Sequence, residues 1–499
     1  MRRKIAFISE HASPLAALGG VDSGGQNVYV GELAKHLISR DYIIDIFTRW
    51  GDPKLPKVIS WLPGVRVIHV QAGPVQAIPK EQLLEYMPEF TDNMLQFITE
   101  EETPYVLVHA NFWMSAMVAA GLKDKLNIPF VVTFHALGYV RRLFQGEQDK
   151  FPAERISIEK RIVQEADHII AECPQDREDL INYYDAPSEK ITIIPCGFSP
   201  HEFYPLDPLL ARMVLNLDPA EKIILELGRM VPRKGVDNVI RALAGVRKMG
   251  LQVRLIIVGG GSDSEPEISR LRQIAHAEGV ADLVTFAGQK NREVLKYYYS
   301  ASDIFITTPW YEPFGITPLE AMACGTPVIG SDVGGIKYTV ENSKTGYLVN
   351  PHDEKALAER IYEMLTDPIL LRKMQRNAVR RVNSLFTWSK VSNMMASLYE
   401  RIMLSSHSGI NKAEQELMFI ENAFEQAMET FSKSRQLLSY PILEAASTLR
   451  HCFLNNKKVL ICGNGGSASE SQHFASELVG RYELTQRQGL PAISLTSDS

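Results

Sequence analysis

Short apolar segments alternate with longer amphipathic ones through most of this 499-residue chain. The first apolar segment, residues 4–9, is followed by a glycine-rich loop over 19–26 and an amphipathic segment over 27–39. Near residue 222 the same order begins again, with an apolar segment over 222–227 and a second loop over 228–235. Strands that alternate with helices indicate a parallel sheet covered by helices on both faces. The sequence therefore predicts an α/β fold with two such domains in succession.

Interruptions of this alternation set the expected domain boundaries. Residues 195–198 and the proline-rich residues 203–219 are typical of a linker, so the first domain is expected over 1–195 and the second over 196–386. A helix is expected over 387–404, and the small polar residues of 405–410 indicate a flexible linker. The two halves share this layout but are not a sequence repeat.

Residues 411–499 are expected to form the front part of a third domain. Two helices are expected over 411–438 and 441–453, followed by a strand, a glycine-rich loop, a helix and a second strand. The first of these helices carries an apolar stripe, formed by Leu417, Ile420, Phe424 and Met428. Two strands cannot complete a core, so the rest of this domain is expected to be absent from the chain.

Composition excludes several functional classes. The hydrophobic content of 45% and charged content of 22% are ordinary for a soluble globular protein, and the net charge of −6 gives no support for a nucleic-acid partner. No apolar run has the length of a membrane span, and the N-terminal one is too short for a signal peptide. Five cysteines lie far apart without metal-ligand spacing, which indicates free thiols in a reducing cytoplasm.

A turn over residues 309–320 places two glutamates between a strand and a small-residue helix. This arrangement is how α/β enzymes present polar groups at the carboxyl edge of a sheet. Glu312 precedes a proline and is expected to face a cleft. Glu320 has two possible roles that the residues leave open: a ligand contact, or part of a capping box in which Thr317 is the N-cap.

Three glycine-rich loops stand between a strand and a helix. Residues 19–26 contain four glycines that would let backbone amides approach an anion, although their spacing is not the dinucleotide fingerprint. The second loop carries Arg229 and Lys234, a pair of cations that suits a diphosphate leaving group; a solvated loop is the alternative. The third loop, residues 463–469, lies in the last segment.

His135 directly follows the apolar segment 131–134. A histidine that opens a loop at the carboxyl end of a strand can donate to a sugar hydroxyl or stabilise a reaction centre. A buried core histidine is the alternative, and His109 is expected to be one.

Four segments together resemble the retaining GT-B glycosyltransferases, a group that includes sucrose-phosphate synthase and the N-acetylglucosaminyl-inositol-phosphate synthase of mycothiol formation. These segments are residues 19–30, 134–138, 228–235 and 312–320. The resemblance covers about residues 1–404 and implies two Rossmann-like domains that face each other across a cleft, with helix 387–404 crossing back to the first. It also implies a nucleotide-sugar donor, held mainly by the second domain, and no cofactor or catalytic metal.

The same resemblance implies roles for residues on the donor side. Arg229 and Lys234 would bind the diphosphate, and Glu320 would bind the ribose hydroxyls. Glu312 would contact the donor sugar, and His135 would lie by the anomeric carbon. Two backbone amides would touch the donor phosphate, those of Gly24 and Gly25.

On the acceptor side, the inositol-phosphate members hold the acceptor's phosphate with a lysine, an arginine, a tyrosine and a threonine. Lys80 and Arg155 match the basic pair of that set. Phe112 and Ala136 stand at the positions of the two hydroxyl donors. The carbohydrate acceptor, a small sugar, polyol or glycan, is therefore left open. Retaining transfer in this family, without a carboxylate nucleophile, implies attack from the front face.

Residues 462–467 and 473–482 resemble a second family, the sedoheptulose-7-phosphate isomerases of SIS fold. That resemblance implies a sugar-phosphate site at a helix N-terminus, made by Asn464, Gly465, Gly466 and Ser467. His473 and Glu477, four residues apart on one helical face, would be zinc ligands, and Glu477 would also be the proton-transfer base. The family's remaining site residues would lie beyond Ser499, so this segment is expected not to isomerise.

The sequence thus predicts a cytoplasmic retaining glycosyltransferase joined to part of a phosphoheptose-isomerase-like domain, a pairing that suggests heptose or surface-glycan assembly. One alternative makes the isomerase the active part and the first 404 residues a sugar-binding scaffold. Another is an assembly role, in which helix 411–438 packs against copies of itself in a homo-oligomer.

Overall fold

The computed structural model describes residues 2–15, 24–146, 149–261, 264–406, 412–463, 466–480 and 489–496. They divide into two compact units, Met1–Ser408 and Gly409–Ser499. None of the described helices is both long enough and apolar enough to cross a membrane.

The first unit opens with an eight-stranded sheet in the order β3-β4-β2-β1-β5-β6-β7-β8. Its strands are β1 (Arg3–Ile8), β2 (Tyr42–Arg49), β3 (Val58–Leu62), β4 (Val65–Val70), β5 (Tyr105–Asn111), β6 (Phe130–Thr133), β7 (His168–Ala171) and β8 (Ile191–Ile193). All neighbouring strands are parallel except β3, which pairs antiparallel with β4 at the edge. Alternate residues of β1 enter cores on opposite faces, Ile5 and Phe7 on one and Ala6 and Ile8 on the other.

Helices cover both faces of this sheet, as the alternation predicts. They are α1 (Gly25–Leu37), α2 (Met87–Glu100), α3 (Trp113–Leu126), α4 (Gly138–Gln145), α5 (Arg155–Glu165) and α6 (Pro174–Tyr184). The strand order reverses between β1 and β5, so the loops that follow these strands diverge and leave a crevice at the carboxyl edge of the sheet.

A second, six-stranded parallel sheet follows in the order β11-β10-β9-β12-β13-β14. Its strands are β9 (Ile223–Leu227), β10 (Arg254–Val258), β11 (Val284–Gly288), β12 (Ile304–Thr307), β13 (Val328–Ser331) and β14 (Gly346–Val349). Its order reverses between β9 and β12, the two strands that precede the cationic loop and the glutamate turn. The topology therefore places both of these segments at one crevice.

The helices of this part are α7 (Pro208–Val214), α8 (Val236–Lys248), α9 (Glu265–Ala277), α10 (Arg292–Ala301), α11 (Ile316–Ala323), α12 (Ile336–Thr339), α13 (Glu354–Thr366) and α14 (Pro368–Leu385). The stretch expected to be only a linker contains α7, because Asp207 caps its first turn through the amides of Leu209 and Leu210. Proline at the first helical position starts this helix rather than breaking it.

The last helix of the first unit, α15 (Trp388–Ser406), lies against the first sheet and α1. Its Tyr399 hydroxyl is 2.6 Å from Nδ1 of His109, and the Trp388 ring is 5.8 Å from that of Tyr29. The helix extends through Ser406, and residues 407–410 of the expected linker lie outside the described residues.

The second unit consists of α16 (Lys412–Leu454), β15 (Val459–Ile461), α17 (Gly466–Val479) and β16 (Ala492–Ser494), with β15 and β16 parallel. The prediction of two helices before β15 is wrong, because α16 continues through Pro441. A proline inside a helix can kink it without ending it. Within this unit Ile420, Phe424 and Met428 are at least half exposed. The side chain of Leu417 is outside the described residues.

Candidate active site

The cationic loop is held against the end of β12 by a glycine. Pro232–Lys234 form one 3-10 turn, and Gly235 follows with φ of 68°. A Cβ at Gly235 would collide with the carbonyl oxygen of Thr308, whose hydroxyl donates to the Gly235 carbonyl at 2.9 Å. This close approach brings Lys234 to the glutamate turn.

Lys234 and Glu312 form a half-buried ion pair at the crevice, with Nζ 2.5 Å from Oε2. Burial opposes ionisation of Glu312, but the charges of Lys234 and Arg233 outweigh it and hold the pKa of this carboxyl below its usual range. Burial and the neighbouring Arg233 lower the pKa of Lys234, against the effect of Glu312. Glu312 therefore carries a negative charge at neutral pH and needs a cation beside it.

A second glycine fixes the backbone of the glutamate turn. Gly334 has φ of 46°, and a Cβ there would collide with the carbonyl oxygen of Glu312. The next residue, Gly335, donates its amide to the same carbonyl at 3.3 Å. The loop after β13 thus packs against the backbone of the glutamate turn and holds it at Glu312.

Glu320 does not form the predicted capping box, so that prediction is wrong. Helix α11 starts at Ile316 with Gly315 as N-cap, at φ of 86°, and Thr317 lies inside the first turn. The Glu320 side chain is 2% exposed and accepts from Arg292 Nη1 and from the Tyr299 hydroxyl, each at 2.9 Å. Burial raises its pKa against the opposing charge of Arg292.

The N-termini of α1 and α11 meet at the crevice. Gly24 is the N-cap of α1 and donates its amide to Asn27 Oδ1 at 2.9 Å. A Cβ at Gly25 would lie 3.5 Å from Cδ1 of Ile316, the first residue of α11. A helix N-terminus favours an anion, and here two of them lie side by side. The rest of the first glycine-rich loop, residues 19–23, lies outside the described residues.

His135 opens the loop after β6 with φ of 57°. Its Nδ1 is 3.2 Å from Glu172 Oε1 and its Nε2 is 3.2 Å from Asn111 Oδ1. Burial opposes the ionisation of Glu172, yet His135 and a hydrogen bond from Cys196 lower its pKa. The imidazole is therefore oriented by a buried carboxylate.

Sequence reasoning missed Glu172 and Asn111. Each lies at the carboxyl end of a strand, Glu172 directly after β7 and Asn111 as the last residue of β5. A polar residue that ends an apolar run was the available signal. His109 is the expected core histidine: it is fully buried, and burial lowers its pKa to about 3.

The acceptor-side cation Arg155 is enclosed by the protein. It is 2% exposed, its Nε donates to Glu159 Oε1 at 2.7 Å, and its Nη2 donates to the Ala136 carbonyl. The guanidinium also lies 5.0 Å from the ring centroid of Phe112. Lys80, the other cation of the predicted pair, has its Nζ 3.9 Å from Glu81.

A cleft of about 260 Å³ lies beside Glu312, between the first and second sheets. Helix α4 and the first turns of α6 form one wall, and residues 311–313 and 332–337 form the other. The rings of Phe144 and Tyr311 stack across it at 5.4 Å.

In the second unit, His473 and Glu477 lie on one face of α17 with Nε2 3.6 Å from Oε1. Gly466 begins this helix and Ser467 follows, while Asn464 and Gly465 lie outside the described residues. Among the residues that the structure describes, no group of three or more histidines, cysteines or carboxylates is placed to hold a metal ion.

Two doubly wound α/β domains with cations, carboxylates and two helix N-termini at one crevice define a GT-B glycosyltransferase. Residues 210–381 match the family model "Glycosyl transferases group 1", and residues 23–202 match "Glycosyltransferase Family 4". Residues 422–499 match a SIS domain.

The chain belongs to the group 1 glycosyltransferase family. It is 34% identical over 413 residues to D-inositol 3-phosphate glycosyltransferase of Corynebacterium jeikeium, a match that covers 81% of this chain and 98% of the relative. Sucrose-phosphate synthase from Thermosynechococcus elongatus has a similar solved structure, with 37% identity, a TM-score of 0.75, and coverage of 81% of this chain and 100% of that one. The protein is therefore an enzyme that transfers a sugar from a nucleotide sugar to a sugar or polyol acceptor.

Anabaena Alr3699/HepE shares the fold. Its solved structure is 21% identical to this chain, with a TM-score of 0.63, and the match covers 80% of this chain and 99% of that one.

Proposed function

We propose that the donor diphosphate binds between the cationic loop and the N-terminus of α1, with Arg229 and Lys234 on one side and the amides of Gly24 and Gly25 on the other. The observation that carries this proposal is the Lys234–Glu312 pair at the crevice. A single Lys234 can then neutralise the leaving phosphate while it holds Glu312 toward the donor sugar. Charge grows on the phosphate as the glycosidic bond breaks, so a fixed cation there stabilises the transition state more than the ground state.

We propose front-face transfer with retention. The acceptor hydroxyl attacks the anomeric carbon on the face that the diphosphate leaves, and the leaving phosphate oxygen takes the hydroxyl proton. His135 lies by the anomeric carbon, oriented by Glu172. Glu320 binds the ribose hydroxyls through carboxylate oxygens that Arg292 and Tyr299 hold in place.

A panel of UDP, ADP, GDP and their sugar conjugates tests the donor site. The Anabaena HepE structure holds UDP, which makes UDP the first choice for this chain. Ligand binding to the folded state raises the melting temperature, so at least one nucleoside diphosphate should raise it at millimolar concentration. No shift with any member of the panel would contradict the proposed donor site.

Transfer should not depend on a divalent metal, because helix N-termini and Lys234 supply the positive potential that a metal would otherwise give the diphosphate. We expect the initial rate of nucleoside diphosphate release to be the same with excess EDTA as with added Mg²⁺. Loss of the rate in EDTA, restored by Mg²⁺, would contradict this assignment.

His135→Ala should lower kcat by about 10²–10⁴-fold, the usual range for a positioned side chain that assists proton transfer or charge development. The variant should also lose some stability, because His135 is only 10% exposed and is the partner of the buried Glu172 carboxylate. Circular dichroism and the nucleotide-induced melting shift serve as controls. The matched variant His36→Ala, in the last turn of α1, should keep the wild-type rate. An unchanged kcat in His135→Ala would contradict a catalytic role.

Glu320→Gln should weaken nucleotide binding by about tenfold, the loss of one charge-assisted hydrogen bond. It should also destabilise the fold by about 1–3 kcal/mol, because Arg292 and Tyr299 lose a buried carboxylate partner. Isothermal titration with the nucleoside diphosphate and chemical unfolding measure the two effects separately. The variant Glu202→Gln removes the other partner of Arg292 and should leave nucleotide binding unchanged. Destabilisation without weaker binding would assign Glu320 a structural role only.

A second function, sugar-phosphate isomerisation, is favoured by the SIS match over residues 422–499. His473 and Glu477 are spaced to supply two zinc ligands, and Glu477 would then serve as the proton-transfer base, with Gly466 and Ser467 near the sugar phosphate. Conversion of sedoheptulose 7-phosphate with added Zn²⁺, lost in Glu477→Gln, tests it. Glycosyl transfer and sugar-phosphate isomerisation in one chain would place the protein in heptose or surface-glycan assembly. A homo-oligomer through this unit and a cytoplasmic location also belong to the proposal.

A further inference from the structure

We propose that the cleft beside Glu312 takes an unphosphorylated sugar or polyol as acceptor, held by Asp176 against an aromatic wall. This inference rests on the proposed glycosyl transfer and names the acceptor class of that same site. It differs from the phosphorylated compounds named in the relatives described above. Four features carry it: the size of the cleft, its walls, its charges and the state of Arg155.

The cleft has room for one small ring. Its volume of about 260 Å³ is just below the range of about 300–1,000 Å³ found for small-molecule sites. It is also bordered by Glu312, which belongs to the donor side in the proposed function. An acceptor in this cleft would therefore lie next to the donor sugar.

The walls of the cleft suit the apolar face of a sugar ring. Leu137 is the N-cap of α4, Val140 lies in its first turn, and Tyr183 lies at the end of α6. Phe144 and Tyr311 add a stacked aromatic pair. Apolar and aromatic walls with a few polar groups are typical of sites that bind small molecules.

The polar groups of the cleft disfavour added negative charge. Asp176, Asp179, Glu312 and Asp332 border it, and Lys337 is the cation among its described lining residues. The Lys337 ammonium already donates to Gln175 Oε1 at 2.7 Å. Burial and the charge of Glu172 raise the pKa of Asp176 to about 8, and burial raises the pKa of Asp179 as well. A phosphate brings more negative charge into a place where a carboxylate already resists ionisation.

Asp176 is well placed to recognise a hydroxyl instead. Its Oδ2 accepts the amide of Glu172 at 3.0 Å, which anchors the carboxyl at the start of α6. Below a pH of about 8 this carboxyl is protonated, and a protonated carboxyl both donates and accepts hydrogen bonds. Sugar hydroxyls have the same dual capacity, so the two groups match.

Arg155 does not supply the missing positive charge. The Glu159 carboxylate neutralises it, and Tyr184 donates to that carboxylate at 2.5 Å. The guanidinium lies within 5.7 Å of the ring centroids of Phe112, Trp113 and Phe151. Its Nη1 is buried without a hydrogen-bond partner among the described residues and is enclosed rather than open to a ligand.

Matched acceptor pairs test the inference with the donor that the nucleotide panel identifies. The pairs are fructose with fructose 6-phosphate, and myo-inositol with inositol 3-phosphate, with product detected by mass spectrometry. We expect kcat/KM for the unphosphorylated member of at least one pair to exceed that of its partner by about tenfold or more. Asp176→Ala should lower this kcat/KM about tenfold, mainly through KM, whereas Asp176→Asn, whose neutral amide also donates and accepts hydrogen bonds, should retain it. The matched variant Asp92→Asn, on the exposed face of α2, should change neither value.

Several outcomes would overturn the inference. These are a preference for the phosphorylated members, equal use of both members, or no transfer to any of the four compounds while a nucleoside diphosphate still binds. An unchanged KM in Asp176→Ala would also overturn it. Failure of every nucleoside diphosphate to bind would instead remove the proposed function itself.

Discussion

Asp45→Ala should destabilise the first domain by about 3–5 kcal/mol, the usual cost of removing one partner from a buried ion pair. Asp45 lies on β2 and is fully buried. It accepts from Arg66 Nε at 2.8 Å and Nη2 at 2.6 Å, and from the Tyr105 hydroxyl at 2.5 Å. Lys4, only 4% exposed, has its Nζ 3.3 Å from the same carboxylate. The substitution leaves the buried Tyr105 hydroxyl without its acceptor, removes two hydrogen bonds of Arg66, and leaves Lys4 with Glu101 as its carboxylate partner.

Denaturant unfolding followed by circular dichroism measures this effect, as a fall in the midpoint of unfolding. The control is Glu101→Gln, which touches the same Lys4 and Arg66 from the rim, where its side chain is 21% exposed. Rim pairs contribute about 1 kcal/mol or less, so this variant should lose much less stability. Equal losses in the two variants would show that burial of Asp45 is not the cause.

Acid should weaken the same cluster. Burial opposes ionisation of Glu101, but Arg66 and Lys4 outweigh it and lower the pKa of this carboxyl in the folded state. A lowered folded-state pKa contributes stability above the unfolded pKa, and the contribution is lost as pH falls through the folded value. The difference in stability between wild type and Glu101→Gln should therefore shrink as the pH falls below the ordinary glutamate pKa of about 4.3.

Most of the fold followed from periodicity in the sequence. Both sheets are buried on two faces, so their strands are short apolar runs that contrast with the helices between them. The edge strand β3 was missed although four of its five residues are apolar; it lies at the sheet edge, where its residues are half-buried or exposed. The continuous α16 was missed because Pro441 was interpreted as a boundary between two helices.

The sequence predicts those site residues that are polar and directly follow an apolar, strand-like run. Residues at the carboxyl ends of strands, such as His135 and Glu312, could be selected because the topology brings those ends together. The burial of the Arg155 guanidinium could not be predicted in this way. Its partner Glu159 lies one turn further along the same helix and could be read from the spacing of four residues. The enclosing Phe112 and Phe151 come from other segments, and only packing shows that the charge is buried.

Lys234→Met should weaken binding of the nucleoside diphosphate by about 10²–10³-fold, whereas Glu312→Gln should leave it unchanged or tighten it. Lys234 supplies positive charge to the diphosphate, and Glu312 is a nearby negative charge that competes for the same ammonium at 2.5 Å. Removing that competitor frees Lys234 for the phosphate. Isothermal titration with the nucleoside diphosphate alone, which carries no sugar, measures this contrast directly.

Turnover should behave differently from binding in the same two variants. Both should lower kcat/KM for the nucleotide sugar by about 10²-fold or more, Lys234→Met through the leaving phosphate and Glu312→Gln through the donor sugar. Because the two side chains are in contact, the double variant should lose less than the sum of the single losses in free energy. If Glu312→Gln weakens diphosphate binding as much as Lys234→Met does, Glu312 acts by holding Lys234 rather than by contacting the sugar, and the proposed division of roles fails.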